Sequence, residues 1–568
     1  MAEYPKNIDV DSFSSEELER VNELEKMFQS AKDSRKAQVA RWRRNEELYN
    51  GQMLKPFNLP KYKTRIEPNV IHSVVETMFS ILTDRPSKVD LMPKRESQIE
   101  SALKAQEAVE WVMADKKAQR AIRYMKRDGL IYGNGFLKVC IVDDEIAFIV
   151  PDPYTVFIDP LATSIEDAQC IVFATPTYVD IIEKRYGKKV GAEGRMNEYR
   201  AFIKLDKQYA TDKVPELESQ SSLDDENGGA SQDYQGGQAL LKESWYYKGG
   251  ELRLATWAGK TLLQDGKAPY DFMPLVTFKN YPSAHSIWGK GEPEVIESLA
   301  VGSSIALSQG MDNLILQGNP VVVMSKSLSK IPGNRMTDKP GQVIWTNNPA
   351  ERVDRLPAGN ISASTLPFAQ SMIELADMVS GVHEISRGIN PTGVVASRAI
   401  QQLQEASQQI IRAKEKSIGS DAVIDIYKKT LSLLAKNYAK TINIRKFAED
   451  GSGYKFEEIQ PYDLDADLDF SYKEGSSMPE SRVGRFDSAI DLLQLGLLDE
   501  EGFWRWTQMD ITKEKLQEIS QQRKQRQDQV EQEVDTISNS TDEDEVMDSL
   551  LRYRELTGGG AQDVQENA

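Results

Sequence analysis

The stretch RDGLIYGNGFLKV, residues 127–139, decides how the chain is read. It puts Gly129, Gly133 and Gly135 close to Lys138, so it is either a phosphate-cradling loop or a corner in the chain. A phosphate loop runs strand, glycine turn, helix, because a helix N-terminus must aim its free N–H groups at the anion. Here the order is reversed. A helical pattern ends between Gly129 and Gly133, and a strand pattern begins at Phe136. The third glycine of a G-x-G-x-x-G spacing is missing, since position 138 is lysine. The glycines therefore read as the place where a helix stops and reverses into a strand.

Upstream of this corner, residues 69–83 and 98–128 carry helical periodicity. Further back, Ser14 and Glu17 form a capping-box pattern that opens a helix closing on Gly51. Val21, Leu24, Met27, Phe28 and Ala31 make its apolar stripe. Within it, RWRRNEELY suits either a phosphate-binding patch or a solvated face with internal ion pairs, and the second is expected.

Downstream, GFLKVCIVDDEIAFIV reads as two strands joined at Asp143 and Asp144. DPYTVFIDP, the strand AQCIVFATP and the helix YVDIIEKRYG follow. Residues 211–240 are poor in large apolar side chains and read as a disordered surface insertion. KESWYYK and ELRLATWAG form a hairpin around Gly249 and Gly250, and MPLVTFKNYP is a further buried strand.

Residues 291–317 change character. They form a helix with Pro293 in its first turn and a face of Val295, Leu299, Ser303, Leu307, Gly310 and Leu314. Such a mixture of small and large residues suits close helix packing. About fifty residues of strand and turn signals follow, then a second helix, LPFAQSMIELADMVSGVHEISRG, expected to end at Gly388. The loop INPTGVVAS leads into a long helical run over 400–440, with Ile400, Leu403, Ile410, Ile411, Ile418, Ile426 and Leu433 on its periodic face. Residues after 481 read as helices with an acidic, fraying end.

The 568 residues are 40% hydrophobic and 28% charged, a globular balance, and the net charge of −18 argues against broad, tight DNA binding. No leader or membrane span is expected, and two cysteines, Cys140 and Cys170, suit a reducing compartment. The tests for chemistry fail one after another. His383-Glu384 is not completed as a zinc motif, because position 387 is arginine. GKG at 289–291 lacks the rest of a Walker loop, and no Gly-x-Ser-x-Gly occurs. Asp463, Asp465, Asp467 and Glu474 stand at EF-hand spacing, but Leu468 replaces the required glycine. Leu464, Ala466, Leu468 and Phe470 alternate with those acids as a half-buried strand would. No catalytic residue, metal site or cofactor is assigned.

The ordered set persuades where no single motif does. RAIRYMKRDGLIYGNGFLKV precedes DPYTVFIDP and FATPTYVDIIEKRYG; the helix, β-insertion, helix block over 291–388 comes next; GINPTGVVASRAI and SSMPESRVGRFDSAIDLL close the series. This order resembles the portal proteins of tailed double-stranded DNA bacteriophages over about residues 15–510. The resemblance implies a multi-domain α+β subunit. Its α/β wing would occupy 1–290 and return with the long helix at 400–480. Stem helices would fall at 291–318 and 367–387, a β-rich clip at 319–366, a tunnel loop at 388–399 and a helical crown at 481–568.

It also implies a ring of twelve copies at one capsid vertex, assembled in the host cytoplasm. Viral double-stranded DNA would be packaged and ejected through that ring. Expected partners are the terminase large subunit, the head–tail adaptor and the major capsid and scaffolding proteins, with no membrane. Gly388, Asn390, Pro391, Thr392 and Gly393 would form the DNA-facing loop. Arg387 and Arg398 beside it would make weak phosphate contacts or inter-subunit ion pairs. On the clip, Lys326, Lys330, Arg335, Lys339 and Trp345 would face terminase or adaptor. The competing readings are a metal-dependent DNA-processing nuclease and a head–tail adaptor.

Overall fold

In the computed structural model the described residues are 14–60, 62–142, 144–191, 237–318, 321–323, 354–356, 364–382, 409–437, 442–447, 454–461, 464 and 467–473. All belong to one unit, spanning 1–479. Ser14 caps α1 (Ser15–Ser34), its Oγ accepting the Glu17 N–H at 3.2 Å. Val21, Leu24, Phe28 and Ala31 are buried against strand residues Phe157, Val172 and Trp257. The helix then breaks at Arg35 and restarts as α2 (Lys36–Tyr49), so the single expected helix is two. Arg35 explains the break. Its buried guanidinium lies 3.6 Å from the Phe157 ring centre and donates to the carbonyls of Pro153, Tyr154 and Val156.

RWRRNEELY is a solvated face only in part: Arg41 is exposed and Arg44 pairs with Glu47 at 3.5 Å, as expected. Trp42, Asn45 and Leu48 are buried, and Arg44 reaches Glu297, far along the chain, at 2.7 Å. Asn69 caps α3 (Val70–Leu82), which leads to β1 (Val89–Met92). The helical stretch over 98–128 is also divided, into α4 (Ile99–Asp115) and α5 (Ala118–Tyr132), where Lys117 takes a φ of 53°.

The corner holds as read. The chain leaves α5 through Gly133, φ 92°, and enters β2 (Asn134–Val142) at once. The other glycines have a second purpose that sequence did not reveal. A Cβ on Gly135 would stand 2.0 Å from the Met125 carbonyl oxygen, and one on Gly291 would stand 2.2 Å from that of Ile131. Three backbone segments meet here, and only glycine leaves them room. Buried Asn134 fastens the meeting, donating to the Ile287 carbonyl at 3.0 Å and accepting the Gly289 N–H at 2.7 Å.

β2 is central in a three-stranded sheet, between β3 (Glu145–Ile149) and β9 (Leu275–Lys279). A five-stranded sheet runs in the order β4 (Val156–Ile158), β5 (Cys170–Tyr178), β6 (Gln238–Lys248), β7 (Glu251–Ala258), β8 (Thr261–Lys267). Between β5 and β6 comes α6 (Val179–Tyr186). Every pairing among the described strands is antiparallel, so the region is α+β rather than α/β. Gly249 and Gly250, both at positive φ, turn β6 into β7 as expected. β6 begins at Gln238, so the insertion expected over 211–240 ends earlier; residues 192–236 lie outside the described residues.

The later elements are α7 (Glu292–Gly318), β10 (Val321–Val323), β11 (Asp354–Leu356), α8 (Thr365–Ser380), α9 (Gln409–Ile418) and α10 (Ile424–Lys436). A π-helical turn, Gly419–Val423, joins the last two; it bears on Tyr472, whose ring fills the space a Cβ on Gly419 would need. Ile411, Ile418, Ile426 and Leu433 are buried in a core shared with α3, α4, α5 and β2, whereas Ile410 is exposed. Ile400 and Leu403 lie outside the described residues. β12 (Ile442–Phe447) and β13 (Tyr454–Ile459) form a hairpin. β14 (Asp469–Tyr472) pairs with distant β1, Leu91 opposite Phe470. The strand is shorter than its alternation suggests. Leu464 and Leu468 are nevertheless buried, and Lys94 takes the exposed acids, Asp467 at 2.6 Å and Asp469 at 3.8 Å. Asp463 and Asp465 lie outside the described residues.

Candidate functional site: a helical hairpin and its buried anchor

α7 and α8 pack side by side and antiparallel, Gly302 facing Met372 and Gly310 facing Leu366. The buried side of α7 is Ile296, Ala300, Ser303, Ser304, Ala306 and Ser308. Of the face expected from sequence, Ser303 is buried, Val295 and Leu299 pack half-buried against the core and Gly310 faces α8, whereas Leu314 is 62% exposed, so the most buried line is turned slightly from the expected one. Serines can sit inside because they are satisfied locally. Ser303 and Ser304 donate back to the Ala300 carbonyl at 2.9 and 2.8 Å, and Ser308 accepts the Ile66 N–H at 2.9 Å. Asp312 ends this packed part, accepting the Thr64 N–H at 2.8 Å and pairing with Lys63 at 3.2 Å.

Beyond that point the hairpin turns apolar outward. Leu314, Ile315 and Leu316 on α7 are exposed, as are Leu366 and Phe368 on α8; nearer the base of the hairpin, Met378 on α8 is exposed as well. Past the helix ends, β10 and β11 continue as an antiparallel pair, Val321 opposite Leu356. α8 stops at Gly381, φ 75°, seven residues before the glycine expected to end it. The close approach of Ile410, whose side chain would lie 2.8 Å from a Cβ there, goes with that stop.

The base of the hairpin is held by a buried polar cluster. Glu292, fully buried, accepts hydrogen bonds from Asn280 Nδ2 at 2.9 Å, from the Tyr281 hydroxyl at 3.2 Å and from Lys414 Nζ on α9. The Lys414 ammonium also lies 3.8 Å over the Tyr281 ring and 3.1 Å from Asn280 Oδ1. Desolvation lowers the Lys414 pKa and the Glu292 carboxylate opposes it. The cluster thus joins the start of α7 to the helix that follows residues 383–408. Sequence reasoning missed it. The available signal was Lys414 and Glu415 sitting at helical spacing between buried Ile411 and Ile418.

The residues singled out from sequence bracket this hairpin. Arg387, Gly388, Asn390, Pro391, Thr392, Gly393 and Arg398 fall between Val382 and Gln409, outside the described residues. Lys326, Lys330, Arg335, Lys339 and Trp345 fall between β10 and β11, also outside them. Cys140 and Cys170 are buried thiols whose pKa values burial raises. Among the described residues no three His, Cys, Asp or Glu side chains converge as metal ligands. A groove of about 410 Å³ beside the π-helical turn is lined by Glu166, Lys279, Ser420, Asp421 and Lys428, the Ser420 hydroxyl donating to Asp421 Oδ1 at 2.8 Å.

No curated protein matches the chain. The model of the phage SU10 portal protein family matches residues 142–476, more than half of the chain, and that span holds the five-stranded sheet, both hairpin helices and α9 with its anchor. On that match, together with the order of elements, the chain belongs to the phage SU10 portal protein family.

Proposed function

We propose that the chain is one stave of a ring, of about twelve copies by family analogy, at a single capsid vertex, through which double-stranded DNA is packaged and later ejected. The α7–α8 hairpin is the wall, residues 319–366 the clip that meets terminase and then the adaptor, and residues 388–399 the loop nearest DNA. Residues 481–568 form the crown. The subunit works as a structural conduit, with ATP hydrolysis supplied by terminase. No described helix is long and apolar enough to cross a membrane.

One observation carries the reading: two antiparallel helices present large apolar side chains outward on both, Leu314 and Met378 being 62% and 63% exposed. A lone hairpin cannot cover such faces, whereas copies set side by side around an axis cover them. The acidic balance, 88 carboxylates against 70 basic residues, agrees with a wall along which a polyanion slides. The test is particle imaging of the purified full chain. Rings with a central hole wide enough for a duplex are expected; particles without a hole overturn the proposal.

A further inference from the structure

The solvent face of α5 is basic in a chain that is acidic. Lys117, Arg120, Arg123 and Arg127 follow one another at helical spacing and share one face with Tyr124, which is 47% exposed. Lys117, Arg120 and Arg123 have no carboxylate partner among the described residues. The arginines are held up by rings instead. Arg120 lies 5.6 Å from the Tyr124 ring centre, and Arg123 and Arg127 lie 5.9 and 5.5 Å from that of Phe79 on α3. The acids nearby are few. Glu76 on α3 pairs with Arg127 at 2.6 Å, and Asp84 is exposed in the turn after α3. Lys116, at the edge, is already taken by Asp115 and Glu145. Lys126 points the other way and is buried, donating to the Leu82 carbonyl and Ser87 Oγ.

We propose that this face of α5 docks the phosphate backbone of double-stranded DNA, without reading base sequence. The contact is separate from the tunnel loop at 388–399. It rests on DNA being the ring's cargo but not on the geometry of the channel. Three features favour a duplex over an acidic protein. The unpaired row from Lys117 to Arg123 spans about 9 Å at the helical rise, enough to meet two neighbouring phosphates of one strand, with Arg127 continuing it beyond. Its charges are mostly guanidinium groups, whose planar fork of donors matches a phosphate. Tyr124 adds an exposed hydroxyl, a common phosphate donor. With repulsion expected from most of this surface, a strip of surplus cations sets where DNA comes to rest.

The experiment uses the full chain and relaxed, covalently closed circular duplex plasmid, which cannot thread a closed ring. Binding is followed across salt concentrations for the parent and for R120Q/R123Q. The parent should bind, with affinity falling steeply as salt rises. The variant should lose roughly tenfold in affinity near 0.1 M salt, and its log–log salt slope should be shallower by about two. R120K/R123K should recover the parent slope. Identical curves for parent and R120Q/R123Q overturn the proposal, as does a parent that fails to bind plasmid at about 50 mM salt. An equal loss of binding to poly-glutamate makes the face a site for acidic protein and also overturns it. A ring that stays hollow while the plasmid test fails leaves the conduit standing alone.

Discussion

Lys414 and Glu292, 122 residues apart, form an ion pair out of reach of water, their side chains 6% and 0% exposed. Burying two charges costs nearly as much as their attraction returns, so the pair contributes little net stability; its effect is to fix how α9 meets the root of α7.

Removing one partner strands the other in the core. K414M or E292L alone should cost about 3–5 kcal/mol, whereas the double variant should come within about 1–2 kcal/mol of the parent. Urea unfolding of the four proteins decides it. Additive losses would show that the charges act independently.

Gly135 and Gly249 separate two reasons for glycine. A Cβ at 135 meets the Met125 carbonyl, whereas at 249 it meets open space with φ at +62°. G135A should lose at least about 3 kcal/mol or fail to fold, and G249A should lose only about 1 kcal/mol. Equal thermal shifts would undo the account of the corner.

Burial, reinforced by the Asp152 carboxylate, lifts the Asp128 pKa from 3.8 to about 7. Between those values the folded protein keeps a proton that the unfolded chain has released. Its contribution is therefore most favourable below about pH 4, falls as pH rises and levels off above about pH 7. D128N should remove that slope and be the more stable protein at pH 8 by on the order of 2 kcal/mol. The check is melting temperature against pH for both proteins; parallel profiles would place Asp128 in solvent.

The exposed hairpin face should tolerate charge in the isolated subunit and forbid it in the ring. L314E/M378E should melt within a few degrees of the parent yet yield only small species by mass photometry. If rings persist, the copies meet elsewhere.

Deleting residues 319–366 and bridging the two helices with a short turn should leave a folded wing that no longer captures terminase. Continued capture would move the motor's footprint off the clip.

Much of the fold was legible because its signals are local. Ser14 caps its helix, Gly133 ends α5, and the pair Gly249 and Gly250 makes a tight turn; each depends on near neighbours alone. Helix breaks at Arg35 and Lys117 were not legible. One depends on carbonyls more than a hundred residues away, the other on a lysine at positive φ. The face of α7 was placed slightly off because its serines bond to their own helix or to Ile66 and so pass into the core. The hairpin was found from the order of elements. Its anchor was not, since a charged residue on an apolar face reads as noise until its partner is seen.

β1 and β14 pair across most of the described chain; Lys94 and Asp467 beside them stand 373 residues apart. A ribosome making about 5–20 residues per second therefore spends roughly 20–75 s between the two strands. Throughout that delay β1 lacks its partner, and for about its last quarter the apolar hairpin has been made as well. On the ring reading, nascent copies are thus open to premature sticking before their own sheet is closed.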